Sequence, residues 1–332
     1  MRFLIVGLGS MGKRRARNLL ALGFNNITGY DNNPKRLLEF EKKYKLKTIK
    51  FFKNINRDNY DAIIVSTNPS YHFKYIKHAI KYKLNCFIEA SIVNENLIKH
   101  EMKKISDKTI VYAPSCTMRY YQMPKVVKSL INKRYIGKPL YINYHTGQYL
   151  PDWHPWENIK DFYVSNKKTG GCREIVPFEL NWLNDIFGFP KKVSNSFKAK
   201  ISKINANIDD IYNFLLIYKT NIIAQITIEV LSRPSHTRNL NIVGTKGKIS
   251  FDSDKNVVVL KSLTKNQKIS LIKQKTEKNY INPEQPYINE MNDFIKAIKS
   301  KNKKPFPSNF NEDIKLLKLL KEIEKKSKIN EL

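Results

Sequence analysis

A chain of 332 residues, 41% of them apolar, is long enough to bury substantial cores and by length alone suggests roughly two domains. Its formal charge of +31 would ordinarily point to nucleic acid or anionic lipid. Here lysine far exceeds arginine, the basic residues are spread along the whole chain, and no basic block with interleaved aromatics occurs, so no nucleic-acid partner is expected. No apolar run reaches the ~18 residues of a membrane span and no leader pattern precedes Phe3–Val6, which predicts a cytoplasmic chain with no membrane partner. The three cysteines, Cys86, Cys116 and Cys172, lack paired spacing and a nearby histidine, so they read as buried thiols, with no disulfide framework and no metal site.

In the first part of the chain short apolar runs alternate with helical patterns, the signature of βαβ units and a parallel sheet. Strands are expected near Phe3–Val6, Asn26–Tyr30, Ala62–Ser66, Cys86–Ile88 and Thr109–Ala113. Helical spacing of apolar residues marks Lys13–Leu20, Pro34–Tyr44 and Tyr71–Tyr82 between them. After Met118 the pattern changes. A helix is predicted over Met123–Asn132, a strand over Pro139–His145, and an irregular aromatic stretch from Tyr149 to Phe162. Consecutive strands then follow near Val193–Ile201, Tyr212–Tyr218, Ile222–Leu231, Leu240–Val243, Lys248–Phe251 and Val257–Leu260, which implies a mostly antiparallel sheet. Helices over Tyr287–Ser300 and Asn311–Lys325 close the chain. The expected fold class is α/β, with a parallel-sheet domain over 1–118, an α/β domain with a mostly antiparallel open sheet over 119–310, and a C-terminal helix and tail over 311–332.

Gly7-Leu8-Gly9-Ser10-Met11-Gly12 is a G-x-G-x-x-G motif lying directly after a predicted strand and before a predicted helix. That context identifies a dinucleotide-binding Rossmann turn, in which Gly7 permits the tight turn, Gly9 lets a pyrophosphate approach, and Gly12 allows close helix packing. Asp31 ends the second strand, where an acidic side chain accepts hydrogen bonds from the adenosine ribose hydroxyls and favours NAD. Lys35 and Arg36 follow closely and would suit the 2′-phosphate of NADP, so NADP stays open as the alternative. Asp31 also reads as a turn or cap residue before Asn32-Asn33-Pro34.

With these residues in place the chain resembles the Gfo/Idh/MocA oxidoreductases along almost its whole length. The markers are the glycine loop, Ser66-Thr67-Asn68-Pro69 with His72, Glu89 after the next strand, and Arg119-Tyr120 opening the second domain. Tyr135 to Pro139, Gly244-Thr245-Lys246-Gly247 and Tyr287 to Phe294 are later landmarks in the same order. The resemblance implies Ser66, Thr67, Asn68, His72 and Glu89 near the cofactor, a sugar, cyclitol or related substrate, and a homo-oligomer formed through the second sheet. It also extends to surface-polysaccharide precursor metabolism. Two departures stand out. The family's Glu-Lys-Pro is Glu89-Ala90-Ser91 here, and the family's aspartate and histidine, four residues apart, fall on Ile175 and Glu179. The resemblance therefore admits a sugar dehydrogenase with replacement chemistry, a non-catalytic dinucleotide binder, or a redox-neutral enzyme.

Oxidising an alcohol by hydride transfer leaves a proton to be removed, so an acid–base group is expected. Glu179 is the first candidate; alternatively, with Pro177 opening a helix, it would only stabilise that helix's start. His154, in the aromatic stretch with Trp153 and Trp156, is the second. Its neighbours either bind substrate or anchor a contact. Arg119, Trp156, Arg173 and Glu174 are candidate substrate contacts, the charged ones weighed against solvated surface pairs. Lys13, Arg14, Arg15 and Arg17 on the first helix lie either near the cofactor phosphate or, as most helical charges do, facing water.

Overall fold

The computed structural model describes every residue except 91–92, 156–157, 279 and 329–332. The chain divides into two compact units, the first formed by Met1–Thr117 with Asn282–Leu317 and the second by Met118–Ile281 with Lys318–Leu332. Each is described in turn.

In the first unit, β1 (Phe3–Val6), α1 (Ser10–Ala21), β2 (Ile27–Tyr30), α2 (Pro34–Tyr44), β3 (Lys47–Ile49) and β4 (Ala62–Val65) lead to α3 (Pro69–Lys81), β5 (Asn85–Ile88), α4 (Glu95–Met102) and β6 (Tyr112–Pro114). The six strands are all parallel in the order β3-β2-β1-β4-β5-β6. Every residue of β1, β4 and β5 is buried, as a parallel sheet covered on both faces requires. The strand order reverses between β1 and β4, and ligands of such sheets bind outside the carboxyl ends at that point. β3 and α4 escaped the sequence reading. β3 is a three-residue edge strand carrying Lys47 and Thr48, too short and too polar to show a pattern.

The expected second-domain boundary at 310 does not match the packing, since α7 (Gln285–Lys299) belongs to the first unit. Its inner face carries Tyr287, Glu290, Met291 and Phe294, all buried, and Phe294 meets Phe87 of β5 with ring centroids 5.6 Å apart. Helical periodicity reveals such a face but not the sheet it covers. On the other side of the sheet, Leu4, Val6, Ile63 and Val65 form a core with Ile76, Ile80, Phe310 and Ile314, the last two from the start of α8 (Phe310–Lys326).

Asp313 in that first turn of α8 is buried, and its Oδ2 has no partner among the described residues. Burial pushes its carboxyl up to about 8. An unfolded aspartate ionises near ~3.9. Between these values the folded chain holds a proton that the unfolded chain has lost, so this group makes stability fall as pH rises through that window. Asp313→Asn should therefore gain in melting temperature relative to the native protein between pH 5 and pH 9. A difference independent of pH in paired thermal melts would refute this assignment.

The second unit begins with a 3-10 turn at Thr117–Tyr120, then α5 (Gln122–Asn132) and β7 (Pro139–Gly147). Short 3-10 turns at Leu150–Trp153, Ile159–Asp161 and Tyr163–Ser165 punctuate the aromatic stretch, and α6 (Cys172–Phe187) follows. The remaining strands are β8 (Pro190–Ala199), β9 (Ile211–Tyr218), β10 (Ile223–Glu229), β11 (Thr237–Gly244), β12 (Gly247–Asp252), β13 (Val257–Ser262), β14 (Asn266–Ser270) and β15 (Ser327–Lys328). They form a nine-stranded sheet in the order β14-β13-β12-β11-β7-β10-β9-β8-β15. All pairs are antiparallel except β7 with β10 and β8 with β15.

Strand alternation directs Tyr212, Phe214, Leu216 and Tyr218 of β9 and Ile142 and Tyr144 of β7 to the face covered by α6. Asn213, Leu215 and Ile217 alternate onto the opposite, half-exposed face. Pro177 does not open α6 but lies inside it, where it removes one hydrogen bond to the carbonyl of Arg173. The helix begins five residues earlier, at Cys172 after Gly171 with φ +61°, so Glu174 occupies its first turn. Glu179 lies two turns in, and the helix-start alternative for it falls. All three cysteines are buried. Among the described residues, no helix is long and apolar enough to cross a membrane.

Candidate active site

The glycine loop forms at the carboxyl end of β1. Gly7 turns with φ +88°, and a Cβ there would sit 2.6 Å from the Ser66 carbonyl oxygen, while one on Gly12 would sit 1.8 Å from that of Gly7. Above Gly9 the space is open among the described residues, with only the Arg36 guanidinium at 3.8 Å. Gly9 caps α1 without a side-chain cap hydrogen bond, and the positive end of the helix there suits an anionic group. A pyrophosphate fits this cradle because the space that any larger residue would close is at Gly9.

Asp31, at the end of β2, faces the loop. Its Oδ2 accepts the Leu8 amide at 2.8 Å and its Oδ1 the Asn33 amide at 2.8 Å, and Arg36 Nη1 stands 3.7 Å from Oδ2. Each oxygen keeps acceptor capacity for a ribose hydroxyl. Ser66, Thr67 and Asn68 follow β4. Asn68 caps α3 through the Ser70 amide at 2.9 Å, and the Ser66 Oγ is buried with no partner among the described residues. His72 is buried, with Nε2 2.8 Å from the Thr67 carbonyl. Burial lowers its pKa to about 4, against the opposing effect of that bond, so a neutral ring donates to Thr67 and holds the loop.

Glu89, after β5, is committed to Arg15. Its Oε1 and Oε2 accept Arg15 Nε at 2.5 Å and Nη2 at 3.0 Å, and the same Nη2 reaches Glu290 Oε2 at 2.9 Å. Glu290 in turn accepts Ser115 Oγ at 3.0 Å, the Cys116 amide at 2.6 Å and Thr117 Oγ1 at 2.6 Å. The guanidinium lies over the Phe87 ring, 4.4 Å from its centroid. Arg14 is likewise buried, paired with Glu284 at 3.0 Å and over Tyr287 at 4.1 Å. These arginines of α1 therefore face α7, and the expectation that they face water fails for Arg14 and Arg15 because Glu284, which caps α7, and the buried Glu290 within it attract them.

In the second unit, Arg119 Nε donates to Asn181 Oδ1 at 2.7 Å and its Nη1 lies 3.5 Å from Asp185, fixing it against α6. Arg173 pairs with Glu324 at 2.7 Å and donates to the Lys168 carbonyl at 2.9 Å. Both oxygens of Glu179 are engaged. Oε1 faces Arg238 Nη2 at 2.5 Å, and Oε2 accepts Tyr144 Oη at 2.6 Å and Trp182 Nε1 at 3.1 Å. Arg238 Nε also donates to Tyr144 Oη at 3.0 Å. His154 stacks on Phe162 with centroids 4.0 Å apart, and Trp156 lies outside the described residues.

Glu174 is different. Tyr163 Oη donates to its Oε1 at 2.7 Å, while Oε2 is buried with no partner among the described residues. Burial raises its pKa to about 7, the tyrosine bond opposing. Sequence reading missed Tyr144, Tyr163 and Glu290. Tyr144 is visible only as an inward position of a strand, and Tyr163 only as one aromatic among many.

Comparisons with known proteins agree with the fold. Residues 1–95 match the family model described as an oxidoreductase family with an NAD-binding Rossmann fold, and residues 125–250 match the GFO/IDH/MocA C-terminal domain. A search of curated protein sequences finds no match. Among solved structures, an oxidoreductase from Agrobacterium radiobacter in complex with NAD+, L-tartaric acid and magnesium has a TM-score of 0.84 at 11% identity, covering 98% of this chain and 96% of that one. A levoglucosan dehydrogenase with NADH and levoglucosan gives 0.80 at 14%, covering 98% and 97%. Myo-inositol 2-dehydrogenase from Lactobacillus plantarum gives 0.80 at 16%, covering 98% and 97%.

Proposed function

The chain belongs to the Gfo/Idh/MocA family of NAD-binding oxidoreductases, and from that premise we propose that it oxidises or reduces a hydroxyl of a sugar or cyclitol, with NAD(H) preferred over NADP(H). The observation that carries the cofactor preference is Asp31, a carboxylate hydrogen-bonded to the Leu8 amide of the glycine turn. Two ribose hydroxyls can donate to it, whereas a 2′-phosphate would meet its negative charge. The substrate class is supported by the levoglucosan and myo-inositol dehydrogenases that share the fold.

Bound NAD+ supplies the oxidising equivalent, accepting two electrons and one hydrogen from the substrate's carbinol carbon. The chain's own residues hold it: the turn of Gly7 to Gly12 receives the pyrophosphate, Asp31 the ribose, and the loop of Ser66 to Asn68, braced by His72, borders the same end of the sheet. Ala90 in place of the family's lysine supports a second reading, in which the cofactor stays bound and the same substrate is oxidised and reduced again.

Calorimetric titration with NADH and NADPH tests the proposal. NADH should bind more tightly, and Asp31→Asn should weaken NADH by about 10-fold, the worth of a charge-assisted hydrogen bond, while affecting NADPH less. Absence of binding by either cofactor would sink the reading. Cofactor that co-purifies and never accumulates as NADH during turnover would favour the redox-neutral version.

A further inference from the structure

Glu179 and Glu290 are buried and each is paired with an arginine, Arg238 and Arg15 respectively. Glu174 of the second unit has no cation beside it among the described residues. It stands in the first turn of α6 and keeps part of its surface, but its Oε2 is buried with nothing donating to it among the described residues. Its Oε1 accepts the Tyr163 phenol at 2.7 Å. A carboxylate charge so placed has the Tyr163 bond in exchange for its hydration, whereas the neutral acid gives up far less. Charged groups on the neighbouring elements are engaged elsewhere. Arg173 is paired with Glu324 at 2.7 Å, and Asp209, whose carbonyl approaches the Cys172 amide, is paired with Lys167 at 3.0 Å and Lys198 at 2.9 Å.

Tyr163 ends a stretch whose backbone bonds are local. The Phe162 amide donates to the Ile159 carbonyl at 3.2 Å, and the Lys160 amide to Asn158 Oδ1 at 3.1 Å. Firmer attachment begins one residue later. Val164 is buried, a Cβ on Gly170 would sit 1.9 Å from its carbonyl oxygen, and the Asn207 amide donates to the Ser165 carbonyl at 2.9 Å. Ahead of that point Thr169 Oγ1 donates to the Tyr163 carbonyl at 2.9 Å, and the Tyr163 phenol reaches α6 through Glu174. A stretch held by local bonds can open without unfolding the rest of its domain. We infer that Glu174 and Tyr163 form a proton-operated latch on the stretch 159–163. It is closed while Glu174 is protonated. When the carboxyl loses its proton to water it opens, about a hinge at Val164, because the charge draws water in.

The range over which the latch works follows from the two states. In the closed state burial lifts the Glu174 carboxyl to about 7, with the Tyr163 bond opposing. In the open state a hydrated glutamate ionises near ~4.3. The open form therefore loses its proton first. The closed form keeps its full advantage below the lower value, loses it progressively as pH rises, and loses no more once pH has passed about 7. Two titratable groups of the stretch and its surroundings bear on this. Tyr163 faces Glu174 directly, and His154 stacks on Phe162 with centroids 4.0 Å apart, so its protonation is the competing source of any response to pH.

The test is amide hydrogen exchange on the full chain at pH 5.5 and pH 8, each rate divided by the intrinsic rate at that pH, in the native protein, Glu174→Gln and His154→Gln. It needs neither cofactor nor substrate, so its outcome is independent of the oxidoreductase reading. Opening of the stretch 159–163 in the native protein should rise by about 10-fold or more between the two values, while β9 of the same unit stays unchanged. Glu174→Gln should abolish the rise and His154→Gln should retain it. A rise that persists in Glu174→Gln, a rise that vanishes in His154→Gln, or no rise in the native protein overturns the latch. Infrared difference spectra keep the question decidable should Glu174→Gln not fold. They are taken in an Asp313→Asn background, which removes the other carboxyl titrating in this range. A protonated carboxyl band should disappear with a midpoint at about 7, and Tyr163→Phe, which removes the bond opposing burial, should move that midpoint upward. No such band, or a midpoint that Tyr163→Phe leaves in place, overturns the assignment.

Discussion

Arg15→Met should destabilise the first unit by about 3–5 kcal/mol, read as a lowered midpoint in urea denaturation. Arg15 is 0% exposed and is the shared cation of Glu89 and Glu290. Its loss leaves two carboxylates facing each other in a buried site, each deprived of the charge that offset its desolvation. The Glu290 carboxyl already feels burial raising its pKa, with Arg15 the chief opposing influence. Without the guanidinium the main influence opposing that rise is gone, so the variant's stability should recover as pH is lowered and Glu290 takes up a proton. The triple variant Arg15→Met, Glu89→Gln, Glu290→Gln, which removes the stranded charge, should be more stable than Arg15→Met alone. A single variant within about 1 kcal/mol of native would show that water reaches the triad and screens it, as it does at exposed pairs.

That triad also shows what a sequence conceals. The parallel strands were legible because their residues are apolar at every position, as with Phe3–Val6 and Ala62–Val65, and the glycine turn was legible because its spacing has one common use. Pro34–Tyr44 matched in full because its boundaries are written locally, by Pro34 at the start and by Lys45, in a left-handed conformation, just past the end. Arg15 gave no such signal. On a helix wheel a charged residue reads as solvent-facing, and only the fold brings Glu290, 275 positions away, to meet it. The same limit applies to α6. Pro177 looks like a helix start, yet the first turn is set by Gly171, which reaches φ +61° where few other residues could. Moving that start by five residues exchanges the positions of the two carboxylates, Glu174 and Glu179, relative to the helix end. Their differing partners could not be read from spacing, because Tyr144 and Arg238 come from strands 35 and 59 residues away from Glu179.

The Glu179 cluster makes the second large prediction. Arg238→Met should cost about 3–5 kcal/mol, because Glu179 is 1% exposed and Arg238 is its one charged partner within the cluster with Tyr144 and Trp182. Glu179→Leu alone strands the guanidinium in the same way, whereas Arg238→Met with Glu179→Leu should lose far less than the sum of the two, a coupling that urea denaturation of the four proteins measures directly. If the two costs added, Glu179 and Arg238 would be independent, and Glu179 would be open to a substrate proton. Strong coupling assigns the pair to holding α6 against β7 and β11.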